Sequence, residues 1–108
     1  LTRRARPGEF RAARDFLAGF ARPVLVVPGN HDIPRNDLWE RFTSPRAAWT
    51  EAGLPLADGE LVIGDWAVLG LDSVRRAQAN LDWSAGGVSR MQLAALRGRV
   101  AAMGGRRC

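Results

Sequence analysis

The chain has 108 residues, 46% apolar and 25% charged, enough for one modest domain with a real core and unlike a disordered segment. No run approaches the roughly 20 apolar residues of a membrane-spanning helix. Leu1-Thr2-Arg3-Arg4 lacks the basic-then-apolar pattern of a secretory leader, so a soluble, cytoplasmic protein with no membrane partner is expected.

A formal charge of +5 invites a nucleic-acid reading. All 16 basic residues are arginine, lysine and tyrosine are absent, and alanine is abundant. That is a chain-wide bias, such as a GC-rich genome produces, rather than the mark of a binding face. The arginines are scattered, and no aromatic residues alternate with them as stacking platforms would. These features argue against a nucleic-acid partner. Cys108 is the only cysteine, so no internal disulfide is possible.

Pro7 suits the first position of a helix, where its missing N–H costs nothing. Phe10, Ala13, Leu17 and Phe20 form one apolar stripe, predicting an amphipathic helix that ends near Ala21. Val24-Leu25-Val26-Val27 is apolar at every position and rich in β-branched residues, as expected of a strand buried on both faces. A helix leading into such a strand is the second half of a βαβ crossover. The first strand would precede Leu1, and the chain does not open on methionine. A piece of a longer protein is therefore expected.

Residues 28–37 read as a loop, followed by a short helix near 37–42 with Asp37 as its cap. A second short helix is expected from Pro45 to Gly53, with Ser44 as its possible cap. Residues 60–63 and 66–71 read as two strands joined at Gly64-Asp65, a two-residue hairpin turn. A looser stretch, 72–88, precedes the clearest helix start in the chain, Ser89 with Gln92 three residues on. Leu93, Leu96, Val100 and Met103 should form that helix's apolar stripe, with Gly104-Gly105 ending it. The expected fold class is α/β, with about three helical segments and three strands.

The chemistry concentrates in Pro28-Gly29-Asn30-His31-Asp32, at the carboxyl end of the most apolar segment, where open α/β sheets bind ligands. Gly29 permits a sharp turn or a close backbone approach. Asn30 offers a neutral carbonyl oxygen, His31 a ring that exchanges protons near neutral pH, and Asp32 a carboxylate able to orient an imidazole. By residue type alone the same three residues equally suit a polar turn. His31 is the only histidine of the chain.

Gly29-Asn30-His31-Asp32 after an apolar strand resembles the GNH(D/E) block of the calcineurin-like metallophosphoesterases. Leu1-Thr2 resembles the tail of that family's GDLT-type block, with a helix and strand of the right length between the two. Ile33-Pro34, Leu69-Gly70-Leu71-Asp72-Ser73 and Gly87-Val88-Ser89 with Gln92-Leu93 are similar to bacterial members related to cyclic-nucleotide phosphodiesterases. The resemblance covers nearly the whole chain. It implies a partial four-layer αββα sandwich, with mixed sheets flanked by helices, and makes residues 1–108 an internal fragment of a single domain. It further implies hydrolysis of phosphodiesters or phosphomonoesters with two divalent ions, manganese, iron or zinc, in the parent enzyme. By the same resemblance Asn30 is a metal ligand, His31 contacts the phosphate and protonates the leaving oxygen, and Asp32 holds the chain around His31.

The family's other ligand blocks would lie before Leu1 and after Cys108. A single amide oxygen does not hold a divalent ion, so the 108 residues alone are expected to bind no metal, to be inactive and to be marginally stable. Gly64-Asp65 follows the GNHD block and reads as a turn, not as the missing Gly-Asp block. Asp72 reads as a turn cap before a metal ligand, Asp37 as a helix cap, Trp39 and Trp49 as packing residues, and Trp83 as a residue able to line a pocket. Two alternatives remain: a basic nucleic-acid-binding α/β module, and a non-catalytic relative that serves as an interaction domain.

Overall fold

Pro7 opens α1 (Pro7–Ala18), and the Glu9 carboxylate turns back to accept from the Arg4 and Arg6 N–H groups at 3.1 and 3.0 Å. The computed structural model describes residues 1–34, 37–55, 58–75 and 85–108. Trp83 lies outside them. The helix stops at Ala18 instead of near Ala21, because the Gly19 N–H closes a tight turn onto the Phe16 carbonyl at 3.2 Å. Phe10 is fully buried and Leu17 packs beside the core, as the stripe predicts. Phe20, beyond the helix end, instead sits in the open, edge-on to Phe16 with ring centroids 5.3 Å apart.

Residues 24–27 depart most from expectation. They join no sheet among the described residues. Val26 is buried, but Val24 and Val27 are more than two-fifths exposed. A strand exists through the ladder it shares with a neighbour. The described strands form a separate hairpin and offer it none.

Asp37 caps α2 (Leu38–Thr43), its carboxylate accepting from the Glu40 N–H at 2.9 Å. The next helix, α3 (Ala47–Glu51), is shorter than the expected 45–53. Ser44 does not cap it with its hydroxyl; its backbone carbonyl accepts from the Ala47 N–H at 3.0 Å. Trp49 is buried, meets Phe10 edge-to-face at 6.0 Å and donates its indole N–H to the Pro55 carbonyl at 2.9 Å. These two rings, with Ala5, Val26, Ala48, Ala52 and Leu54, form the core between α1 and α3. Trp39 is not a packing residue, being 81% exposed.

β1 (Glu60–Ile63) and β2 (Trp66–Leu69) pair antiparallel, with Ile63 opposite Trp66 across Gly64-Asp65. Only Gly64 of the two takes positive φ, at 55°, as a II′ hairpin turn requires at its first position. β2 ends at Leu69 instead of Leu71, opposite Glu60 at the start of β1, with one more cross-strand bond from the Gly70 N–H to the Gly59 carbonyl at 2.8 Å. Arg107 lies along β2, accepting from the Ala67 N–H at 2.8 Å and donating to the Asp65 carbonyl at 3.0 Å.

α4 (Arg90–Ala102) opens with the predicted capping box: Gln92 N–H to the Ser89 hydroxyl at 3.1 Å, Ser89 N–H to the Gln92 carbonyl oxygen at 2.9 Å. Replacing Ser89 with alanine should cost about 1 kcal/mol, seen as lower helicity by circular dichroism and faster amide exchange over 90–93. The inward face of α4 is rotated from the predicted stripe. Gln92, Leu96, Arg99 and Met103 turn inward, while Leu93 and Val100 stay largely exposed. Side-chain hydrogen bonds decide this: Gln92 donates to the Asp72 carbonyl at 2.7 Å, and Arg99 to the Gly70 and Gly59 carbonyls at 3.1 and 2.8 Å. The described molecule is thus a small mixed α/β assembly whose sheet has two antiparallel strands. Its radius of gyration, 15.2 Å, exceeds the roughly 13 Å of a tightly packed domain of this length. The apolar core is correspondingly small.

Candidate functional site

The 29–32 loop is a turn tied at both ends. The Asp32 N–H donates to the Gly29 carbonyl at 3.0 Å, and the Gly29 N–H returns to Asp32 Oδ2 at 2.9 Å. Gly29 does not have positive φ, and a Cβ there would meet its nearest atom, Asp32 Oδ2, at an ordinary 3.8 Å. Gly29 therefore opens the turn without positive φ and with no close backbone approach among the described residues.

Asp32 is the pivot of the loop, 1% exposed. Its Oδ1 accepts from the Thr2 N–H at 2.7 Å and the Thr2 hydroxyl at 2.9 Å, and its Oδ2 from the Leu1 nitrogen at 3.0 Å. The single Thr2 hydroxyl proton is shared with the His31 carbonyl at 3.0 Å, while the same oxygen accepts from the Ala5 N–H at 3.1 Å. Burial by itself pushes the Asp32 carboxyl up. The hydrogen bonds from Gly29, the Leu1 nitrogen and Thr2 outweigh it and hold the group below the usual carboxylate range. Asp32 therefore binds residues 1–2 to the loop and faces inward.

His31 is exposed, with Nδ1 3.1 Å from the Arg3 carbonyl. A carbonyl oxygen only accepts, so this bond requires the proton on Nδ1 and leaves Nε2 for exchange with a ligand. Asn30 is exposed as well. It opens on a cavity of about 120 Å³ that it shares with Ser73, Arg75 and Gly86. The loop thus presents Asn30 and His31 outward while Asp32 anchors it from below.

Among the described residues no three His, Cys, Asp or Glu side chains converge, and Asn30 contributes one amide oxygen where divalent metal ions need several ligands. Asp72 is engaged elsewhere: one oxygen accepts from the Val74 N–H at 2.9 Å, closing a turn, and the other pairs with Arg46. Asp65 sits in the hairpin turn.

Two features escaped the sequence reading. A larger cavity of about 350 Å³ lies under Pro28, between Trp49, Leu71 and Leu96, with the Arg46–Asp72 pair in its wall. Arg46 Nη1 is buried there without a hydrogen-bond partner among the described residues. The second is the approach of residues 73–75 to the 29–32 loop. Neither has a local sequence signal, because both depend on segments more than 20 residues apart in the chain. Searches of protein-family profiles, curated proteins and solved structures give no match to this chain.

Proposed function

We propose that this chain is the central part of a phosphoester hydrolase of the calcineurin-like metallophosphoesterase type, within a partial four-layer αββα sandwich. The observation that carries the reading is the Asp32 carboxylate joining Leu1-Thr2 to Gly29. The two stretches that resemble separate family blocks, 30 residues apart in sequence, lie side by side with Asn30 and His31 facing outward. In this reading two divalent ions are held by residues beyond the 108, with Asn30 adding its amide oxygen. His31 meets the phosphoryl group and gives a proton from Nε2 to the departing oxygen, a better leaving group once protonated.

The test is the reading frame on either side of the 108 codons. It should encode Asp-x-His and Gly-Asp blocks ahead of Leu1 and Gly-His-x-His beyond Cys108. The extended protein should hydrolyse bis(p-nitrophenyl) phosphate with manganese, and His31→Ala should lower kcat by about 10²–10⁴-fold. The 108 residues alone should show no turnover. A frame without those blocks ends the enzyme reading, as does turnover indifferent to His31→Ala.

A further inference from the structure

We infer that Arg75, with Ser73, forms an oxyanion-binding subsite beside Asn30, and that Gly86-Gly87 exists to seat it. The small cavity next to Asn30 is bounded by Gly29, Asn30, Ser73, Arg75 and Gly86, and no carboxylate lines it among the described residues. Three side chains around it can donate: the Asn30 amide, the Ser73 hydroxyl and the Arg75 guanidinium. None of the three has a hydrogen bond or ion pair within the described residues. All three residues are exposed, and what sets them apart is that three donors surround one hollow in which an acceptor from outside can meet them together. A guanidinium flanked by a hydroxyl and an amide suits a tetrahedral oxyanion, to which arginine can donate two parallel hydrogen bonds.

The glycine pair supplies the second, independent observation. The Gly87 N–H donates to the Ser73 carbonyl at 2.7 Å, drawing the two segments together. A Cβ at Gly86 would sit 3.2 Å from both the carbonyl and the hydroxyl oxygen of Ser73. A Cβ at Gly87 would fall 1.9 Å from Arg75 Nε and 2.4 Å from Cζ. The guanidinium therefore occupies the space that a side chain at 87 would need, so a residue other than glycine there must displace it. A glycine at 87 thus leaves the guanidinium room beside Ser73 and Asn30, where a side chain would exclude it.

The ligand class is a phosphoryl group; the choice of phosphoryl over other tetrahedral oxyanions rests on the function proposed above, while the subsite itself does not. The experiment is a titration of the ¹⁵N-labelled chain with inorganic phosphate, chloride being exchanged out to keep ionic strength constant. Saturable shifts are expected at the Asn30 side-chain amide and the Gly86 and Gly87 amides. Arg75→Met should weaken binding by about tenfold or more, the scale of one charge-assisted contact. Gly87→Ala should do the same with circular dichroism unchanged, and Arg90→Met, on the exposed start of α4, should have no effect. Absence of saturable shifts at these amides overturns the subsite, as does an Arg75→Met chain that binds like the parent. Either failure leaves the hydrolase reading intact, since that stands or falls on the flanking blocks and on His31→Ala. Conversely, a frame without those blocks leaves the phosphate titration valid.

Discussion

Asp32→Ala is expected to lower the unfolding free energy by about 3 kcal/mol, because the carboxylate is buried and holds residues 1–2 to the 29–32 loop. The substitution removes one buried carboxylate and strands the donors that converge on it: the Thr2 N–H and hydroxyl, the Gly29 N–H and the Leu1 nitrogen. Some of these reach water after the change, which keeps the loss below the sum of the bonds. The result should appear as a lower urea midpoint with an unchanged slope. It should also loosen residues 1–5 and 29–32 together, seen as parallel gains in amide exchange. The pH dependence follows from the carboxyl lying below its ordinary value of 3.8 in the folded state. A depressed folded pKa means the unfolded chain takes up the proton first as acid is added. The stabilisation is complete above that ordinary value and is lost as pH falls from it through the lower folded value. The parent chain should therefore lose stability in that interval, and Asp32→Ala should lose less. Equal acid sensitivity in the two proteins would remove Asp32 as the anchor.

Phe10→Ala should be the most damaging single truncation, costing about 3–5 kcal/mol. Phe10 is 1% exposed and carries the contact between α1 and Trp49 of α3. The core around it consists of alanines, Val26, Leu54 and one indole, so few large neighbours can move in to fill the space. Total stability for a domain of this length is about 5–15 kcal/mol, and a small core points to the low end. Phe10→Ala should accordingly leave a large unfolded fraction at 25 °C, measured by far-ultraviolet circular dichroism and urea titration. Phe16→Ala provides the contrast: its ring is 71% exposed, and the change should stay within about 0.5 kcal/mol. Similar losses from the two would mean that α1 packs through the wrong face.

The same contrast separates what residues 7–18 reveal from what they conceal. The stripe of Phe10, Ala13 and Leu17 is legible at a helical period, and so is the start at Pro7. The end is not, because a tight turn at Gly19 stops the helix where the apolar stripe runs on to Phe20. In α4 the capping box was readable because both partners lie within one turn. Its inward face was not, since the Arg99 and Gln92 side chains choose it by reaching carbonyls of residues 59, 70 and 72.

The candidate site divides along the same line. Residue type and order at 29–32, after an apolar segment, marked where chemistry could reside and nominated Asn30, His31 and Asp32. That Asp32 turns inward to bind Thr2, and that Arg75 arrives beside Asn30 on a glycine seat, could not be read in one dimension. By itself the sequence determined the local elements whose partners are a few residues apart: the caps at Asp37 and Ser89, the hairpin at Gly64-Asp65 and the helical period of α1. Only the tertiary structure decided which faces are buried, that residues 24–27 find no neighbouring strand among those described, and which donors surround the loop. Local elements are settled by backbone geometry and nearby side chains, whereas these outcomes depend on contacts between segments that the order of residues alone does not bring together.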